Sequence, residues 1–163
     1  MKPSDARILA VDPGYERLGV AVLDGPTGNE TLVYSACFQT KPSTPHPERL
    51  AQVYQEIIRV ITAYSPHTFA TETLFFSVNQ KTALKVAEAR GALLSAAACA
   101  GLPVVEFSPQ AIKIAVTGEG NSDKKQVTAM TKRLIRVTKP VQHDDEYDAI
   151  AIGLTALASP SRR

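Results

Sequence analysis

Apolar positions run from Arg7 to Val11 and stop at Asp12-Pro13-Gly14, a turn signal, and two further apolar runs follow at Leu18 to Leu23 and Leu32 to Phe38. These three runs read as strands joined by tight turns, with Gly25, Pro26, Gly28 and Asn29 supplying the turn between the second and third. Lys41 to Pro47 carries three prolines and no periodicity, so it is a loop, and Pro47 or Glu48 opens the next helix. Leu50, Val53, Tyr54, Ile57, Ile61 and Tyr64 recur at three- and four-residue steps and form one apolar helix face. Thr68 to Phe76 is aromatic and β-branched, which predicts a strand opening into Ser77-Val78-Asn79-Gln80. Lys81 to Ala100 is helical by composition. Its second half is apolar on every side, which predicts burial against the core on one face and another subunit on the other. Leu102 to Phe107 is a short strand, Ser108-Pro109 starts a brief helix to about Val116, and Thr117 to Asn121 is a loop. Asp123-Lys124-Lys125-Gln126 resembles a capping box, with Val127, Met130, Leu134 and Val137 as the inner face of the helix it opens. A last helix runs from about Asp145 to Ala158.

Three leading strands, then helix, strand, helix, strand and further helices, make an α/β arrangement: a mixed sheet flanked by helices. At 163 residues, 44% hydrophobic and 21% charged, the chain fits one compact domain. The longest uncharged run, Gly91 to Val105, is mostly Ala and Gly and is interrupted by Pro103, too short for a membrane span. The N-terminal segment lacks the apolar centre of a signal peptide, so the cytoplasm is the expected compartment, with no membrane partner. Cys37 and Cys99 are far apart and outside any metal-ligand spacing, and are expected as reduced, buried thiols.

A net charge of +2 announces no partner by itself, but the charge is unevenly distributed. Lys113, Lys124, Lys125, Lys132, Arg133, Arg136 and Lys139 stand against only Glu119 and Asp123, and then Asp144, Asp145, Glu146 and Asp148 reverse the sign. Such a run alone reads as a solvated helix face; a motif is needed to raise it to a nucleic-acid surface.

Four carboxylates carry candidate chemistry. Asp12 ends the first strand at a Pro-Gly turn, where an Asp also serves as an ordinary turn residue. Glu72 lies inside an apolar strand, where it either points outward on an edge or faces the core and needs a compensating cation. Asp145 and Asp148 leave one face of a helix start, and together with Asp144 and Glu146 crowd like charges into one turn. Capping explains one acid there, and a cation relieves the remainder. Hard oxygen donors gathered from separate segments suit magnesium or manganese.

Ala10-Val-Asp-Pro-Gly14, Glu72-Thr-Leu-Phe-Phe76, Ala83-Leu-Lys-Val-Ala-Glu-Ala-Arg-Gly91 and Asp145-Glu-Tyr-Asp-Ala-Ile-Ala151 resemble, in order and spacing, the RuvC family of Holliday-junction resolvases, over nearly the whole chain. The resemblance implies an RNase H-like fold with a mixed five-stranded sheet flanked by helices, as one nuclease domain over residues 1–163 with flexible ends at 1–6 and 159–163. It implies that Asp12, Glu72, Asp145 and Asp148 are catalytic and hold two Mg2+ ions, with Mn2+ as a substitute. It implies phosphate contacts from Lys113 and Lys124, extended to the neighbouring Lys125, and a base-stacking role for Phe75. Four-way junction DNA is the implied substrate, cut by paired nicks in recombination and repair. A homodimer through the Lys81 to Ala100 helix is the implied assembly, and a branch-migration helicase complex is a further partner that the resemblance admits. Two departures matter. Glu146 and Tyr147 stand where the family has small residues, so Asp144 can take the place of Asp145 as ligand. The loop after Phe76 lacks a basic residue, which passes junction grip to Lys81. Arg17-Leu-Gly-Val-Ala-Val22 also resembles a related group of nucleases that process ribosomal RNA, which is the alternative enzyme reading. An inactive junction-binding protein is the third, disfavoured because all four acids are present. A sugar-kinase reading fails for want of a second glycine-rich phosphate loop.

Overall fold

The computed structural model describes residues 6–74 and 80–159, without the side chains of Gln80 and Lys81. Phe75 and nearly all of the expected flexible ends at 1–6 and 159–163 therefore lie outside the described residues. The order is β1 (Arg7–Asp12), β2 (Arg17–Asp24), β3 (Thr31–Gln39), α1 (His46–Tyr64), β4 (Thr68–Glu72), α2 (Gln80–Cys99), β5 (Val104–Phe107), α3 (Pro109–Thr117), α4 (Lys124–Leu134) and α5 (Asp144–Ala158). The five strands form one sheet in the order β3-β2-β1-β4-β5. β1 pairs antiparallel with β2 and parallel with β4, so the sheet is mixed, as the alternation of elements predicts.

The period-2 alternation of β1 divides the core. Leu9 and Val11 face α1 and α2 in a cluster with Val20, Val22, Ile57, Phe69 and Leu93. Ile8 and Ala10 face the other way, toward α3, α4 and α5, with Ala70, Ile112 and Ile152. In register across the centre of the sheet stand Ala21, Ala10 and Ala70. This row of small side chains lets α5 settle close, so that a β-carbon added at Gly153 would lie 2.3 Å from Leu23 Cδ1 and 3.3 Å from Ala10 Cβ. No helix among the described residues is long and apolar enough to cross a membrane.

Four expectations need correction. β4 ends at Glu72, with Thr73 and Leu74 already outside it and Phe75 and Phe76 outside the described residues, because its partner β5 stops at Phe107, where Ser108 caps α3. The last rungs are made by Thr73, whose N–H donates to Phe107 O at 2.9 Å. α4 ends at Leu134, and Ile135 turns extended to bury itself under α5. The inner face of α4 is Val127, Met130 and Thr131, with Leu134 exposed, and the Thr131 hydroxyl is satisfied by donating to Val127 O at 2.8 Å. In α2, Ala89, Leu93, Ala96 and Ala97 face the core, while Leu84, Gly91, Ser95, Ala98 and Cys99 are exposed on the chain described. Cys99 is thus not buried, and Cys37 is half-buried; neither forms a disulfide.

Candidate active site

Strand parity brings the first two acids together. Asp12 and Ala10 share a face of β1, Glu72 and Ala70 share a face of β4, and Ala10 pairs with Ala70. Asp12 and Glu72 therefore project from the carboxyl ends of adjacent parallel strands on the α5 side. The antiparallel register sets Gly19 opposite Asp12, and a β-carbon at Gly19 would come within 1.9 Å of the Asp145 carbonyl oxygen. Only a glycine lets the first turn of α5 lie against β2, which delivers Asp145 and Asp148 to the same end of the sheet.

Burial pushes the Asp12 carboxyl well above the ordinary carboxylate range, and the charges of Asp148, Glu72 and Asp145 push it further, with Lys124 opposing them. Glu72 is raised by burial and then by Asp148, against Lys113 and Lys124. Asp148 is raised by burial, in spite of its hydrogen bond from Lys124. Asp12 thus lies in the field of the other three carboxylates. Two are already engaged: Lys124 Nζ lies 2.9 Å from Asp148 Oδ2, and Arg17 Nε lies 3.2 Å from Asp145 Oδ2. Among the described residues, no three acids, histidines or cysteines close into a ligand cage. The donor set is nevertheless all carboxylate and short of positive charge, which is the chemistry a hard divalent cation requires.

The ambiguity between Asp144 and Asp145 is narrowed by position. Asp145 is half-buried and acts on Asp12, whereas Asp144 is exposed and acts on Lys124 and Asp148. Glu146, which the charge pattern grouped with its neighbours, is instead buried under β3. Its carboxylate accepts from the Ser35 hydroxyl at 2.5 Å and pairs with Lys139 Nζ at 2.5 Å. Lys113 stands on α3 within the field of Glu72, and Lys125 is exposed beside Lys124 on α4. Lys81 begins α2, but its side chain lies outside the described residues, as does all of Phe75. Sequence reasoning missed Arg17, whose charge lies outside the basic segment, and His143, which stands at the N-cap position of α5 without a side-chain capping bond.

A mixed five-stranded sheet in this order, helices on both faces and acids at the ends of its central parallel strands define an α/β protein of RNase H-like fold. The family model for crossover junction endodeoxyribonuclease RuvC matches residues 8–156, and the chain belongs to that family. It is 41% identical over 147 residues to the crossover junction endodeoxyribonuclease RuvC of Desulfitobacterium hafniense, spanning 90% of this chain and 89% of that protein. To the RuvC of Thermotoga maritima it is 37% identical over 158 residues, spanning 96% and 94%. The structure of T. thermophilus RuvC in complex with a Holliday junction substrate superposes with a TM-score of 0.86 at 30% identity, covering 92% of each chain. The yeast mitochondrial Holliday junction resolvase Ydc2 shares the fold, with a TM-score of 0.71 at 11% identity over 94% of this chain and 78% of that one.

Proposed function

We propose that the chain resolves four-way DNA junctions by paired phosphodiester cuts in recombination and repair, as one RNase H-like nuclease domain acting in the cytoplasm. Membership of a family of crossover junction endodeoxyribonucleases favours this reading over an RNA-processing nuclease or an inactive junction binder. The observation that carries it is the gathering of Asp12, Glu72, Asp145 and Asp148, from two strands and a helix, into one electrostatic cluster faced by Lys113 and Lys124.

Asp12, Glu72, Asp145 and Asp148 would hold two magnesium ions, or manganese in their place. Bound there, the ions would supply a nucleophilic water and stabilise the leaving oxygen. The residues themselves do the remainder. Asp12 and Glu72, on rigid strand ends, set the positions of their oxygens. Lys124 and Lys113 place positive charge where the phosphate accumulates negative charge. Lys125 and Lys81 add sequence-independent grip on the backbone, and Phe75 stacks on an unpaired base. The exposed small-residue face of α2 supports a homodimer, in which two sites address two symmetric strands. A branch-migration helicase is the further partner that the family resemblance admits.

Asp12→Asn and Glu72→Gln are each expected to reduce junction cleavage by at least about a thousandfold, since loss of a catalytic acid removes several kcal/mol of transition-state stabilisation, while junction binding is kept or strengthened. The assay compares a synthetic four-way junction, a matched linear duplex and a structured RNA, with magnesium. Preferential cutting of the RNA would support the alternative enzyme, and near-normal nicking by both variants would sink the assignment of the acids.

A further inference from the structure

Arg17 is the first residue of β2, and its side chain is half-exposed at the rim of the acidic cluster. Besides the 3.2 Å contact of its Nε with Asp145 Oδ2, its Nη1 lies 3.4 Å from His143 Nδ1. His143 Nε2 in turn lies 2.8 Å from the side-chain amide of Gln39, the residue paired with Arg17 across the β2–β3 ladder. The shorter contact runs from the Gln39 amide nitrogen, which donates to His143 Nε2, while the Arg17 guanidinium approaches the other ring nitrogen at the longer distance. Arg17, Gln39, His143 and Asp145 thus form one network joining two strands to the start of α5.

The geometry points to a role for Arg17 that neither the basic segment nor the family match assigns. We propose that Arg17 occupies the third carboxylate in the metal-free protein and is released to a backbone phosphate when a divalent ion takes Asp145, so that metal binding and junction grip are coupled through this one side chain. Three features carry it. The Asp145 oxygen committed to Arg17 cannot simultaneously face a metal at full strength. Arginine keeps its charge, so a rise in pH does not free Asp145 from it. The Arg17 side of the pair is half-exposed and screened by solvent, so a divalent ion can displace it. Once freed, the planar fork remains at the start of β2, two residues before the Gly19 that pairs with Asp12, and that fork matches two phosphate oxygens.

The inference rests on the metal-site reading above, and the test separates the two. Manganese binding to the full-length protein without DNA is measured by calorimetry for wild type, Arg17→Gln and Asp12→Asn. Junction affinity is then measured in EDTA and in calcium, with Lys125→Ala as the control. Losing a half-exposed competing pair should tighten manganese binding about two- to fivefold in Arg17→Gln. Its junction affinity should match wild type in EDTA. In calcium it should weaken about three- to tenfold, with the salt slope shallower by about 1. Lys125→Ala should weaken binding in both conditions. Unchanged or weaker manganese binding in Arg17→Gln, or equal loss of junction affinity in EDTA and calcium, overturns the role of Arg17. Wild-type manganese affinity in Asp12→Asn overturns the metal site itself, whatever Arg17 does.

Discussion

Asp12 sits where burial and three neighbouring carboxylates all oppose its ionised form. Its carboxyl, with those of Glu72 and Asp148, titrates above the ordinary range in the folded protein. A folded state that holds these protons more tightly than the unfolded chain loses stability as pH rises from the ordinary carboxylate range through the raised values. In EDTA the melting temperature is therefore expected to fall over that window. Asp12→Asn should melt above wild type at neutral pH, by about 2 °C or more, the shift that roughly 1 kcal/mol produces in a domain of this size. A lower melting temperature for Asp12→Asn would show that its carboxylate is satisfied without a cation. Apparent metal affinity should rise through the same window, because proton and metal compete for the same oxygens. At the helix start, Asp145→Asn is expected to lower cleavage far more than Asp144→Asn, since only Asp145 acts on Asp12. The reverse order would move the ligand by one position.

Among the elements, α5 decides whether a site exists. Its first turn is held by the Gly19 backbone beneath Asp145 and by Glu146, tied to Ser35 on β3 and to Lys139. Gly19→Ala adds a methyl against backbone that has no free rotor to move aside, so the turn must lift. Overpacking of this kind costs roughly 1–3 kcal/mol. A displacement of about 1 Å of catalytic groups lowers rate by about a hundredfold. Both melting and cleavage are therefore expected to fall in Gly19→Ala. Unchanged cleavage would mean that α5 is free to slide. Truncating Glu146 to Ala should destabilise by roughly 1–3 kcal/mol, because Ser35 is left buried without its acceptor. Glu146→Gln keeps an oxygen for that hydroxyl and should recover part of the loss, as read by denaturant unfolding.

At the scale of the molecule, the proposed homodimer turns on α2. Leu93 is fully buried beneath the sheet, so Leu93→Glu probes the core and is expected to unfold the chain. Leu84, 65% exposed on the same helix, is the appropriate probe of an interface. Wild type is expected to sediment as a dimer at micromolar concentration, and Leu84→Glu as a folded monomer that nicks one strand without its symmetric partner. A monomeric wild type would remove the dimer, and with it the explanation of paired cuts by paired sites.

The order of elements, the central apolar strands, the caps at Ser108 and Asp123 and the choice of Asp12 and Glu72 as candidates were legible in the chain. Each rests on neighbours a few residues apart, or on the oddity of a carboxylate among apolar side chains. Only the tertiary structure decided the rest. Where β4 stops depends on where β5 ends, and α4 closes early because Ile135 finds a pocket under α5. Glu146 is buried by Ser35 and Lys139, 111 residues before it and 7 residues before it. Arg17 reaches Asp145 only because Gly19 admits the start of α5 against β2. Periodicity and capping are local, and so survive in a one-dimensional reading. Which carboxylate meets which cation is fixed by sheet register and helix approach, and those distances exist only after the chain has folded.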